Sequence, residues 1–334
     1  MQDFRTVLTI PESGFRIDHE QALFCIGSCF AEHISGQLKM RKFKTLLNPF
    51  GILYNPVSVA QSLMQISKGR IYQKEDLIEH EGIWSSFAHH GRFSGTNPEK
   101  VLENINQAIK SSREFLLQSK VLICTLGTAY VFEYKPTGKI VGNCHKLPNS
   151  DFNRKRLTVE EMVEPLKDAL ESLHSSNDQL KIILTVSPVR HIRDGLIENQ
   201  RSKAALLLAV DELCQNNNRV EYFPSYELLM DDLRDYRFYE ADLIHPNQQA
   251  IDYIWNAFSD TYFPEVTQKL NTRIEKLVQA SRHRPIHPQS RAHQEFIRRQ
   301  LEKIDTITSE YPHLSFDEEK ELFLKDLVDL RPET

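Results

Sequence analysis

Ala22-Leu23-Phe24-Cys25-Ile26-Gly27-Ser28-Cys29-Phe30-Ala31 is the stretch on which the reading of this chain turns. The apolar run Ala22 to Ile26 has the character of a strand, Gly27 permits a sharp turn after it, and Phe30 to Met40 has the spacing of a helix. Ser28 and Cys29 then stand at a helix N-terminus. Backbone N–H groups and the helix dipole favour negative charge there, so a thiolate or a developing oxyanion is stabilised.

Outward from this stretch, short apolar segments alternate with longer helical patterns. Strands are expected near 22–27, 43–47, 121–126, 181–186 and 220–223, and helices near 30–40, 57–68, 98–117, 159–175, 198–216 and 247–259. That alternation predicts an α/β fold with a parallel sheet covered by helices. Ligands of such open sheets bind outside the carboxyl ends of the strands, which makes Cys29, Gly51, Thr128 and Ser187 site candidates.

More than two hundred residues later, Asp242-Leu243-Ile244-His245-Pro246 supplies complementary chemistry. Residues three apart in a helix-like turn lie close enough for a carboxylate to bond an imidazole N–H. Asp242 would fix the tautomer of His245, and His245 would take a proton from a nucleophile. Pro246 suits the first turn of the helix that follows. As a metal site the pair is too small: two ligands are too few, and no third His or Cys stands at a matching local spacing.

Gly27 to Ala31 spells GSCFA, and on that motif the chain resembles the GSCFA family within the SGNH (GDSL-like) hydrolase superfamily. The likeness extends through Asn48 to Pro56, Asn143 to Lys146, Ser187 to His191 and the Asp242/His245 segment, covering roughly residues 20 to 260. It implies a flavodoxin-like three-layer sandwich with a central parallel sheet, here in residues 1–260, followed by a helical C-terminal extension in 261–334. It also implies an acyl-ester hydrolase or acyltransferase that needs no metal or organic cofactor. Where the superfamily has Gly-Asp-Ser, this chain has Gly27-Ser28-Cys29, so Cys29 is the first candidate nucleophile and Ser28 the second. Gly51 matches the oxyanion glycine of the second block. The third block, Gly-x-Asn-Asp, is replaced by Gly127-Thr128-Ala129-Tyr130, which leaves Thr128 or Asn143 as substitute donors. The implied substrate is an acylated carbohydrate or other small ester. A non-catalytic protein retaining the pocket is the rival reading.

Two connections carry further candidates. Trp84 to Phe93 mixes aromatic, histidine and glycine residues and reads either as a loop over a substrate, with His89 in contact, or as a flap packing Trp84 and Phe87 on the core. Tyr130 to Arg156 begins as a hairpin, with Pro136-Thr137-Gly138 as its turn, and delivers Asn143, His145 and Lys146 to a loop, where they read either as binding a polar substrate or as ordinary surface contacts. After the fourth strand, Arg190 could orient an anionic part of a substrate or make a salt bridge to Asp194 or Glu198. His191 and Arg193 share that loop.

Composition narrows the class. The 334 residues are 40% hydrophobic and 26% charged, enough to bury one large core or a core plus an appendage. A net charge of −5 argues against general nucleic-acid binding. No apolar stretch is long enough to span a bilayer, and Met1 to Glu20 lacks the apolar centre of a signal peptide, so a cytoplasmic protein is expected. Five cysteines without Cys-x-x-Cys spacing read as reduced thiols, with Cys25, Cys124 and Cys214 in the core. Beyond residue 260, helical patterns at 266–280, 294–308 and 316–330 surround a basic segment broken by Pro285 and Pro288. These helices carry no catalytic spacing and read as packing on their own domain or as a homodimer contact.

Overall fold

The computed structural model describes residues 5–288 and 290–328. Its elements run β1 (Ala22–Gly27), α1 (Cys29–Met40), β2 (Lys44–Leu47), α2 (Pro56–Lys68), β3 (Ile78–His80), β4 (Ile83–Ser85), α3 (Pro98–Gln118) and β5 (Ser119–Leu126). They continue with β6 (Tyr130–Tyr134), β7 (Lys139–Val141), β8 (Phe152–Arg156), α4 (Val159–Ser176), β9 (Lys181–Val186), α5 (Leu196–Gln215), β10 (Val220–Phe223) and a short α6 (Ser225–Glu227). Four helices close the chain: α7 (Gln248–Tyr262), α8 (Glu265–Ser281), α9 (Arg291–Glu310) and α10 (Asp317–Val328).

β10, β9, β5, β1 and β2 lie side by side in that order, all parallel. Because side chains alternate across a strand, the two faces can be read residue by residue. Leu23, Cys25, Val121 and Ile123 pack with Phe30, Ile34 and Leu38 of α1 and with Trp255 and Phe258 of α7. Phe24, Ile26, Leu122, Cys124 and Leu126 point the other way, into a larger core with α2, α3, α4 and α5. The result is the expected three-layer sandwich. Helix starts are well specified: Asn55, Asn97, Thr158 and Asn247 each accept a backbone N–H in the first turn, and proline follows the first two.

The boundaries agree with the sequence expectation to within a few residues, and the differences lie in the insertions. β3 and β4 form a hairpin turned by Glu81 and Gly82, both at positive φ. β6 and β7 form the expected hairpin, but β8 adds a third antiparallel strand on the other edge of β6. Phe152-Asn153-Arg154-Lys155-Arg156 hides its strand character because four of its five residues are polar. Cys25 and Cys124 are buried as expected; Cys214 is only half-buried, and all five cysteines are free.

α8, α9 and α10 enclose their own cluster around Leu270, Ile274, Ile297, Ile304, Phe316 and Phe323, with Met40 of α1 packed against it. Arg41, just past the end of α1, pairs with Glu275 at 2.9 Å, and Lys42 pairs with Glu319 at 2.7 Å. The helix that begins at Cys29 is therefore gripped at its far end by α8 and α10.

Candidate active site

Three loops at the carboxyl edge of the sheet are laced together by backbone bonds. Gly27 has φ 131°, and a Cβ there would lie 2.0 Å from the carbonyl oxygen of Thr125, so only glycine lets β1 leave the sheet at this point. Ser28 N–H then donates to Thr125 O at 2.9 Å, and Ser28 becomes the N-cap of α1 with Cys29 as its first residue. Asn48, after β2, accepts from Gly27 N–H through Oδ1 at 2.8 Å and donates its own N–H to Cys25 O at 2.9 Å. Tyr54 O accepts from both Gly127 N–H (2.8 Å) and Thr128 N–H (3.0 Å) after β5. Asn48 and Tyr54 thus hold the β1, β2 and β5 loops in register. The sequence marked both only as part of a matching run.

Cys29 sits where expected, half-buried at the N-terminus of α1. Its thiol is nevertheless pushed up from the ordinary range, first by burial and then by the nearby Glu32 carboxylate. The Lys203 ammonium and the N–H groups of Cys29 and Phe30 oppose that push. The helix terminus therefore does not by itself offset the burial of the thiol. Ser28 is fully buried, its hydroxyl caps nothing, and its Oγ has no hydrogen-bond partner.

Asp242 and His245 are joined as the spacing predicts, with Oδ2 2.7 Å from Nδ1. The backbone differs from the expected helix-like turn. Leu243 adopts φ 58°, and Asp242 Oδ1 accepts the N–H groups of Ile244 (2.8 Å) and His245 (3.0 Å). Pro246 lies one residue before the N-cap Asn247, outside the helix, because Tyr239 and Pro246 form an isolated antiparallel bridge. The bonds from His245 and the two backbone N–H groups hold the Asp242 carboxyl at about 2, below its usual value. The carboxylate accepts a hydrogen bond from Nδ1–H, which leaves the lone pair of the neutral ring on Nε2. His245 lies within electrostatic reach of His33, one turn along α1 from Cys29, and of His191: it helps lower both, although burial is the larger cause in each.

Two of the expected oxyanion donors, Gly51 and Thr128, are engaged elsewhere. Gly51 N–H closes a turn on Asn48 O at 2.8 Å; its φ of 91° and the proximity of His90 make glycine obligatory there. Thr128 gives its N–H to Tyr54, and its hydroxyl lies 3.1 Å from Ser202 Oγ and accepts from Tyr130 N–H. Asn143 Oδ1 accepts from His145 N–H, while His145 Nε2 meets Ser86 O at 2.7 Å. His89 is 1% exposed, stacked on Phe50 at 4.1 Å and ringed by Tyr72 and Phe93, so it belongs to the core of the flap. Trp84 packs against that core as well.

Arg190 pairs with neither Asp194 nor Glu198, which are taken by Arg154 and by Arg156 and Arg201. It stacks instead on Tyr239, 4.2 Å from the ring centre, and donates through its backbone N–H to Ile244 O and through its side chain to Leu243 O. Arg190 therefore positions the His245 loop, and with Tyr226, Tyr236 and Tyr239 it lines a cleft of about 370 Å³ beside it.

Sequence reading passed over Lys203 altogether. It is fully buried on α5, with Nζ 2.7 Å from Gly127 O and 2.6 Å from Ser187 O, bracing the ends of β5 and β9. Burial lowers its ammonium to about 7, and a negative Cys29 would raise it. Its surroundings in sequence, Arg201-Ser202-Lys203-Ala204, look like an ordinary helix surface, so no local signal marks it.

Residues 22–258 match the GSCFA family, and residues 274–329 match the GSCFA domain protein, C-terminal domain. The chain belongs to the GSCFA family. No curated protein matches it. Among solved structures, a carbohydrate esterase family 3 from Talaromyces cellulolyticus aligns with 75% of this GSCFA chain and 99% of its own, at 8% identity and a TM-score of 0.35. Among the described residues, no three His, Cys, Asp or Glu side chains of this GSCFA protein gather as a metal site would need, and no helix is long and apolar enough to cross a membrane.

Proposed function

We propose that this GSCFA protein is an acyl-ester hydrolase or acyltransferase in which Cys29 is the nucleophile, His245 the general base and then acid, and Asp242 the group that orients His245. The observation that carries the reading is the 2.7 Å bond from Asp242 to His245 Nδ1, which directs Nε2 outward from a loop latched to the β9 end by Arg190. Cys29, at the helix N-terminus one turn from His33, is the nucleophile such a base would serve. As His245 takes the thiol proton, Cys29 Sγ bonds to the ester carbonyl carbon and the carbonyl π pair moves onto oxygen. When the oxyanion collapses, the bond to the alcohol breaks and His245 returns the proton to the departing oxygen. Water, or a second alcohol, then opens the thioester by the same route. An acylated carbohydrate is the substrate class we propose, with the adjacent cleft lined by Arg190, Tyr236 and Tyr239 as the place for its sugar.

Intact-mass spectrometry after exposure to a panel of activated acyl esters tests this. A single acyl adduct that is lost in Cys29→Ala and His245→Ala but kept in Ser28→Ala is the expected result. Adduct lost only in Ser28→Ala would transfer the role to Ser28, and no adduct on any ester would sink the acyl-transfer reading. One observation favours a second reading, a ligand-binding protein without turnover: the N–H groups of Gly51 and Thr128 are already bonded.

A further inference from the structure

An acyl-transfer site needs hydrogen-bond donors aimed at the oxygen that becomes negative, and Gly51 and Thr128 have given theirs to Asn48 and Tyr54. At the same edge of the sheet, four buried polar atoms among the described residues have no partner: Ser28 Oγ, Asn48 Nδ2, Thr125 Oγ1 and His191 Nε2. Leaving such a group unpaired costs about 1–3 kcal/mol, so each calls for an explanation. His191 Nε2 and the Ser28 side chain both border Gly127: a Cβ on that residue would stand 3.0 Å from His191 Nε2, 3.1 Å from Ser28 Cβ and 3.1 Å from Tyr54 O, so glycine lets these groups close in on the turn. His191 is held in place by its N–H to Asn199 Oδ1 at 2.8 Å and by edge contact with the Tyr54 ring, 5.4 Å between centres.

We propose that His191 Nε2–H is the side-chain donor to the acyl oxygen when Cys29 attacks. This inference rests on the acyl-transfer reading above. Donation requires a neutral imidazole with its proton on Nε2, and burial together with the charges of Lys203 and Arg154 pushes the ring down to about 3. A neutral imidazole acting as an electrophile through a depressed pKa is established chemistry in other enzymes. The charged groups around it are Lys203 behind Gly127, Arg154 and Asp194 on the insertion side, and His245 on the facing loop. Lys203 does not compete for the oxygen: it donates to Gly127 O and Ser187 O, and its charge adds to the same field.

The experiment compares two reactions of Cys29 in wild type, His191→Ala and His191→Gln, with folding checked by thermal unfolding. Acylation by p-nitrophenyl acetate builds an oxyanion; alkylation by iodoacetamide needs the thiolate but builds none. His191→Ala should lower acylation about 10²- to 10³-fold, the usual effect of losing one such donor, while alkylation stays within about twofold and its pH profile is unmoved. His191→Gln, which keeps an N–H donor, should recover part of the loss. Equal loss of both reactions, or loss of neither, would overturn the role. Nitrogen-15 NMR of the His191 ring gives a second readout without any ester: a neutral Nε2–H tautomer from pH 5 to 9 is expected, and an Nδ1–H tautomer overturns the proposal alone. A wild type that alkylates but never acylates strikes the acyl-transfer reading itself and this role of His191 with it.

Discussion

Lys203 donates from Nζ to the carbonyl oxygen of Gly127 at 2.7 Å from a fully buried position. A buried ammonium without a carboxylate partner is held in its charged form weakly, and burial brings this one to about 7 from 10.5. Between those values the unfolded chain binds a proton that the folded protein does not, so stability rises with pH across that window. Lys203→Met removes this linkage. The stability difference between wild type and Lys203→Met, from denaturant unfolding, should shift in favour of wild type by on the order of 3 to 5 kcal/mol between pH 7 and pH 10. A difference that does not change with pH would show that Lys203 titrates normally.

Asp242→Asn separates geometry from charge. Asparagine can still accept the N–H groups of Ile244 and His245 through its oxygen, so the loop should survive. What is lost is the carboxylate that selects the Nδ1–H tautomer and stabilises the imidazolium. Ester turnover should fall by about two to four orders of magnitude while the melting temperature changes by only a few degrees. Turnover within tenfold of wild type would remove Asp242 from the mechanism.

Two glycines of the same region should respond in opposite directions. Gly27→Ala places a methyl 2.0 Å from Thr125 O at a positive φ, and the sheet edge has to break to admit it; we expect a loss of at least about 3 kcal/mol or no soluble protein. Gly36, inside α1, has nothing within 4 Å of the added carbon, and Gly36→Ala should stabilise by about 0.5–1 kcal/mol. Thermal unfolding of the two variants decides both.

His89 sets part of the acid limit of the fold. Burial among aromatic rings holds it at about 3, below the ordinary 6.5. As pH falls from 6.5 towards 3, the unfolded chain gains a proton that the native ring refuses, so stability drains away over that interval. The contribution is roughly 5 kcal/mol at most. His89→Phe, with Phe50, Tyr72 and Phe93 already around the ring, should flatten the acid limb, read as a lower pH midpoint of acid unfolding.

Lys42 and Glu319 form a nearly dry ion pair at 2.7 Å that joins the end of α1 to α10. Lys42→Met leaves the buried Glu319 uncompensated and should cost about 3–5 kcal/mol, seen as faster amide exchange in α9 and α10. The double variant Lys42→Met/Glu319→Leu should recover most of that loss. Equal exchange in all three proteins would mean that the pair holds nothing.

The layers of this fold were legible because each central strand is a short apolar run closed by Gly27, Asn48, Gly127, Ser187 or Pro224. β8 escaped because its pairing rests on backbone bonds to β6 and on Arg154 stacking over Tyr130 and Phe132, which composition does not reveal. The Asp242–His245 contact could be read because its two residues are three apart. Local spacing could not show that Gly51 and Thr128 spend their N–H groups within neighbouring loops, or that Lys203 reaches from α5 to the strand ends. The Gly51 bond is a local turn that composition does not mark, whereas the Thr128 and Lys203 bonds join segments far apart in the chain, up to 76 residues for Lys203, that only folding brings together.

The residue proposed as nucleophile lies in the first strand-to-helix turn, and its proposed base lies just before α7. On the ribosome the two are therefore made far apart in time. At about 5–20 residues per second, Cys29 leads His245 by roughly 10 to 40 seconds. Until that second segment emerges, together with the helices that grip the end of α1, the nascent chain carries a thiol with no base to activate it. Under the proposed mechanism, acyl chemistry waits until both segments have been made.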